Sequence, residues 1–195
     1  MKKIMMIAAM MVAVLSANAQ NEVGQVTLKP MVGINLATLT GLTDNKIRVG
    51  LTAGAEAEFG IAENFSVTAG ALYSMQGTKW KDDGDTETYK IDYINIPILA
   101  NYYVTKGLAI KAGIQPAFAV SKKFKLEGGG ASIEGDLDGV SGFNLSIPIG
   151  LSYEYQSFVL DARYNLGVTK VFKENGSKTP KNSVFMFTIG YKFEL

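Results

Sequence analysis

Residues 183–195 read SVFMFTIGYKFEL, and the alternation in this stretch decides the fold. In an extended chain Phe185, Phe187, Ile189, Tyr191, Phe193 and Leu195 fall on one face, and Met186, Thr188, Gly190, Lys192 and Glu194 fall on the other. A period of two over so many residues is the signature of a β-strand with two different environments. Residues 141–155 repeat it, setting Phe143, Leu145, Ile147, Ile149, Leu151, Tyr153 and Tyr155 against Asn144, Ser146, Pro148, Gly150, Ser152 and Glu154. Residues 158–168 set Phe158, Leu160, Ala162, Tyr164 and Leu166 against Val159, Asp161, Arg163, Asn165 and Gly167. Weaker versions occupy about 27–37, 48–59, 65–77, 91–104 and 108–121. That makes eight strands, each close to the roughly 9–11 residues a tilted strand needs to cross a bilayer.

The connections alternate too. Gly60-Ile61-Ala62-Glu63-Asn64, Thr105-Lys106-Gly107 and Gln156-Ser157 are short turns. The connections at about 38–47, 78–90, 122–140 and 169–182 are long, polar and Gly-rich. Short turns at one end and long loops at the other are the layout of an outer-membrane barrel, with the long loops outside and both termini in the periplasm. The expected fold is therefore all-β, an eight-stranded antiparallel transmembrane up-and-down β-barrel.

Which face meets lipid follows from residue size. The non-apolar stripe is rich in glycine: Gly33, Gly50, Gly54, Gly70, Gly113, Gly150, Gly167 and Gly190. Glycine weakens a strand and gains nothing in water, whereas a narrow eight-stranded lumen requires small side chains. The apolar stripe runs from strand to strand without charges, so it faces lipid. Phe59, Phe65, Tyr102, Tyr153, Tyr155, Phe158 and Phe193 lie at the periplasmic ends, and Tyr73, Phe118, Phe143 and Phe185 near the loop ends. Two such aromatic belts suit the two headgroup depths. Pro30, Pro97, Pro116 and Pro148 fall inside strands and forfeit ladder donors, so local bulges are expected there.

The first nineteen residues read as an address. Lys2 and Lys3 precede an apolar run from Ile4 to Leu15, and Ala17-Asn18-Ala19 gives a small-x-small cleavage pattern. The expected organisation is a signal peptide over 1–19 and a barrel domain over 20–195. The net formal charge is +1, with no basic stripe for a phosphate backbone, which argues against nucleic acid. The chain has no Cys, so it carries neither disulfides nor a lipid-acceptor thiol. It also has no His, the usual general base of barrel enzymes, and no cofactor motif, so a non-enzymatic protein is expected.

The segment 93–99, YINIPIL, resembles the Y-x-x-I-P-(L/I)-L strand of PorT-like outer-membrane β-barrel proteins of Bacteroidetes. The signal ending Ala17-Asn18-Ala19-Gln20, the Gly33-Ile34-Asn35 strand and the aromatic C-terminus are similar as well. Family members commonly carry Glu where this chain has Asn95, and many outer-membrane barrels end in Phe where this one ends in Leu195. The resemblance implies the fold, and one member's tie to protein secretion brings in an accessory role in secretion.

Assigning each strand its inward parity lists the lumen charges: Lys29, Glu56, Glu58, Lys111, Glu154, Asp161, Arg163, Lys192 and Glu194. All lie toward the periplasmic ends, with opposite signs on neighbouring strands. The outer half of the lumen reads as Gly, Ser, Asn and Ala. In so narrow an interior these charges should pair as a salt-bridged plug, with Lys29, Glu58 and Glu194 the ones nearest periplasmic water.

In the loops, the acidic run Asp82-Asp83-Gly84-Asp85-Thr86-Glu87 could offer oxygen ligands to calcium, but it lacks EF-hand spacing and Asp83-Gly84 is a hairpin turn. Gly128-Gly129-Gly130 and Asn175-Gly176-Ser177 read as hairpin tips too. The flanking alternation suggests β-ribbons extending loops two, three and four outward. Three functions compete: a structural or adhesin-like surface barrel acting through loops 78–90, 122–140 and 169–182; a channel or lateral-diffusion transporter for small apolar molecules; and the secretion role. The partners expected are outer-membrane lipids, the barrel-assembly machinery through the C-terminal strand, and an extracellular ligand or protein that the sequence does not specify.

Overall fold

The computed structural model describes residues 23–82, 85–129, 131–173 and 179–195. The signal peptide, the Asp83-Gly84 turn, Gly130 and the Asn175-Gly176-Ser177 turn lie outside those residues. The strands are β1 (Val26–Thr40), β2 (Lys46–Ala62), β3 (Phe65–Asp82), β4 (Asp85–Asn95), β5 (Ile98–Thr105), β6 (Leu108–Gly128), β7 (Ala131–Asp136), β8 (Phe143–Tyr155), β9 (Phe158–Gly167), β10 (Lys181–Tyr191) and β11 (Phe193–Glu194). β4 with β5, and β10 with β11, each form one stave, while β7 belongs to a ribbon beyond the wall. The staves number eight. Each neighbouring pair is antiparallel, and β10 and β11 pair with β1, so the sheet closes and has no edge within the wall.

Closure turns the usual protein inside out. Outward side chains are apolar and exposed, among them Val49 at 61 % and Leu160 at 57 %, whereas inward side chains are polar and buried. Only a hydrocarbon surround favours that distribution. Aromatic rings cluster at both rims: Phe158 stacks edge-on to Tyr191 at 5.2 Å near the short turns, and Phe118 to Phe143 at 5.7 Å near the loops.

The bulges expected at the prolines are not found there. Register shifts lie between Ile47 and Thr52, Gly60 and Ala62, Asp92 and Tyr93, and Tyr103 and Thr105. The prolines instead coincide with gaps in pairing. β1 keeps one register against β10 and β11, although pairing lapses opposite Pro30. At the β4–β5 junction the Ile96 amide donates to the Pro116 carbonyl at 2.8 Å, and Gly70 donates to the Pro97 carbonyl at 3.2 Å. A missing donor costs one ladder bond. It does not force an extra residue into the strand.

Above the wall, β3–β4 and β6–β7 extend as the ribbons expected for loops two and three. Because β4 also pairs with β6, the two ribbons form one four-stranded sheet in the order β3-β4-β6-β7. Loop four differs among its described residues. Rather than extending the wall, it turns back, and Phe172 forms a bridge with Val140 of loop three.

Candidate functional site

The lumen is built from the short-turn end upward. Arg163 on β9 reaches across to β2, where Nη1 and Nη2 donate to the two Glu56 carboxylate oxygens at 2.5 and 2.8 Å. Its Nε and Nη2 also donate to Asp161 at 2.6 and 2.9 Å. Lys29 bridges to Glu56 at 3.1 Å and Lys111 to Asp161 at 2.9 Å. Five charged side chains thus form one continuous network, all of them buried. A planar guanidinium serving two carboxylates is the arrangement that best offsets desolvation.

A second group lies beside it. Lys192 donates to Glu154, and the Tyr103 hydroxyl donates to Glu58. Ser66 donates to Glu58 at 2.5 Å, and the Lys192 ammonium lies 6.0 Å from the centre of the Tyr103 ring. Taken together, Lys29, Lys111, Arg163 and Lys192 balance Glu56, Glu58, Glu154 and Asp161. Glycines make the room. A Cβ on Gly150 would come within 2.9 Å of the Arg163 side chain, one on Gly70 within 2.7 Å of Glu56, and one on Gly190 within 2.9 Å of Lys29.

Glu194 lies outside this group, exposed in β11. Lys29 and Glu58, expected nearest the periplasm, are instead only 2 % and 3 % exposed. Their long side chains turn inward to carboxylate, ammonium and hydroxyl partners rather than to water. Parity reading also missed Arg48. It pairs with Asp92 at 3.6 Å and donates to the Gln76 carbonyl near the loop end, where strand register shifts.

Above the charges comes a belt of Asn35, Asn95, Gln115, Ser146 and Asn165, all buried. Above that, the outer lumen is apolar, not the Gly/Ser/Asn/Ala lining expected. Leu39, Ile91, Tyr93, Ala117, Val140 and Val171 form a buried cluster with Leu42, Leu137 and Phe172 packed against it. Val140 and Val171 come from loops three and four, which are cross-tied: Ser141 donates to the Val171 carbonyl at 2.7 Å, and Lys173 to the Gly139 carbonyl at 2.8 Å. The two loops fold into the mouth and close it.

Outside this cap, a groove of about 1120 Å³ runs between loop one and the ribbon sheet, lined by Trp80, Leu126 and Ile133 with Asp44, Asp85 and Glu87. Trp80 is anchored by an edge-on contact with Tyr89 at 4.8 Å and by donating to the Thr43 carbonyl at 3.4 Å.

A closed antiparallel barrel with an apolar exterior, aromatic rims and an ion-paired interior is a transmembrane barrel of the outer-membrane class. The chain belongs to the outer membrane protein beta-barrel domain family, whose match spans residues 18–173. No curated protein matches it. Among solved structures it is similar to Ail, the attachment invasion locus protein of Yersinia pestis, in complex with the heparin analogue sucrose octasulfate. That match has 13 % identity, 88 % of this chain and 100 % of that one covered, and a TM-score of 0.52. It is also similar to Neisserial surface protein A, at 13 % identity, 86 % and 97 % coverage and a TM-score of 0.50. These likenesses establish the fold and the outer-membrane location.

Proposed function

We propose that this is a non-enzymatic surface-interaction barrel whose ribbon sheet, projecting from the outer face, binds an extracellular protein. The observation that carries the reading is the outer edge of that sheet. β7 pairs only with β6 among the described strands, and Ile133 on it is 64 % exposed. An open edge of six residues offers backbone donors and acceptors to an added strand, and the adjoining groove offers Trp80 and Leu126 to its side chains. The filled lumen supports this over conduction, because a charge plug and an apolar cap lie in series along the one axial route. The PorT-like resemblance rests on the YINIPIL stave, a wall element, so it lends the secretion role no support from the loops.

The test is adherence of cells displaying the barrel to immobilised host-surface proteins. Ile133→Pro, which blocks strand addition without touching the wall, should abolish adherence, as should replacing 125–134 with a Gly-Ser linker. Unchanged adherence in both variants would overturn the proposal.

A further inference from the structure

The outward face of the ribbon sheet carries a second surface, independent of the β7 edge and resting only on the long loops lying outside. Residues directly paired across neighbouring strands share a face. Ile91 pairs with Lys122 and Tyr89 with Phe124, and Ile91 is buried in the mouth, so that row faces inward. The alternate rows therefore face outward: Lys79 pairs with Thr88, Thr88 with Lys125 and Lys125 with Glu134, while Lys90 pairs with Lys123 and Lys123 with Asp136. Lys81 lies two residues beyond Lys79 on the same face. Lys79, Lys81, Lys90, Lys123 and Lys125 face only Glu127, Glu134 and Asp136. Glu134 is shared by Lys90 at 3.0 Å and Lys123 at 3.4 Å, and Glu127 holds Lys125 at 2.5 Å. Lys79 and Lys81 have no ion pair among the described residues. The patch keeps an excess of positive charge.

Its height matters as much as its sign. On the same outward face of the same strands, the patch continues directly from Tyr73 and Phe118, the exposed rings at the outer rim of the lipid belt. Lys79 is six residues above Tyr73 and Lys123 five above Phe118. At about 3.3 Å per residue and a tilt of about 40°, that places the ammonium groups roughly 12–15 Å above the rim, level with the polar headgroups of the outer leaflet. Solvent-directed loops gain nothing from lysines confined to one face at one depth, whereas anionic headgroups attract each such cation.

We propose that this patch binds the phosphorylated sugar headgroup of an outer-leaflet glycolipid, holding lipid against the β3–β4–β6 side of the barrel. The headgroup, rather than free phosphate, is the ligand, because its acyl chains lie along the apolar wall below while its phosphates meet the lysines.

The test is native mass spectrometry of the full chain folded in a zwitterionic micelle and titrated with diphosphoryl lipid A, with fully dephosphorylated lipid A, and with inorganic phosphate as competitor. The diphosphoryl lipid should be retained in preference to its dephosphorylated form, and a matching concentration of phosphate should not displace it. Lys79→Gln, Lys81→Gln and Lys125→Gln together should weaken binding by about fivefold per lysine at low ionic strength. Glu127→Gln, which frees Lys125, should strengthen it, and this variant keeps the test decisive if the triple variant fails to fold. Equal retention of both lipids, displacement by phosphate alone, or a Glu127→Gln affinity no higher than wild type would each overturn the proposal.

Discussion

Arg163 uses its guanidinium on two carboxylates at once, and each of those carboxylates has only one further cation, Lys29 for Glu56 and Lys111 for Asp161. Arg163→Ala therefore leaves two buried anions short of charge and hydrogen bonds. It should destabilise the barrel by roughly 3–5 kcal/mol, the cost of orphaning a buried pair, read from urea unfolding in vesicles. Arg163→Lys should recover only part, because an ammonium cannot fork between two carboxylates. A loss of no more than about 1 kcal/mol for Arg163→Ala would mean the network is solvated. Gly150 pairs with both Lys111 and Arg163, and a Cβ there would lie 2.4 Å from the Ala162 carbonyl oxygen. Gly150→Ala should cost roughly 1–3 kcal/mol by overpacking. These lumen residues were legible in the sequence because strand parity assigns a face without knowledge of the fold. Where each long side chain ends was not legible. Lys29 and Glu58 have stems that can reach water or turn inward, and only the partner strands decide.

At the level of elements, all eight staves could be read from alternation, since period two survives wherever one face meets lipid and the other a packed lumen. The cap could not be read. Leu39, Val140 and Val171 sit in segments whose surroundings are polar, and they meet only because three distant loops converge. Topology makes a direct prediction. An epitope inserted at Gly129, beside the β6–β7 tip, should be stained on intact cells, and one at Lys106, between β5 and β6, only after permeabilisation. The reverse pattern would invert the barrel. The ribbon should also respond to pH. The Lys90 hydrogen bond, with Lys123 beside it, holds the Glu134 carboxyl below the usual carboxylate range. Its contribution is therefore fully present above that range and disappears as pH falls through the lowered value. Amide exchange of β7 should accelerate in acid below the ordinary Glu range, and Glu134→Gln should remove that dependence while leaving wall amides unaffected.

For the whole molecule, closure and filling are separate properties with separate tests. Closure satisfies every wall strand on both sides, so the barrel should resist SDS in the cold, migrate as a compact species and shift on boiling. Identical mobility boiled and unboiled would contradict the barrel. Filling concerns the axis. At the short-turn end Arg163, Glu56, Asp161, Lys29 and Lys111 span the interior from β1 and β2 to β6 and β9, and an eight-stranded lumen leaves little width beyond its side chains. At the long-loop end the Leu39–Ile91–Val140–Val171 cluster excludes water by its apolarity, as hydrophobic constrictions in channels do. Two barriers of different chemistry in series make a specific pattern of outcomes. In planar bilayers the wild type should show no stable, large open steps. Leu39→Ser with Val171→Ser should wet the mouth yet still not conduct, because the ion-paired layer remains. Arg163→Ala alone should not conduct steadily either, because the cap remains. Only the combination should produce brief openings, at whatever fraction of molecules still folds by the SDS mobility test. Steady wild-type conductance would rule out the plug, and conductance from the cap variant alone would show that the ion-paired layer does not seal the lumen.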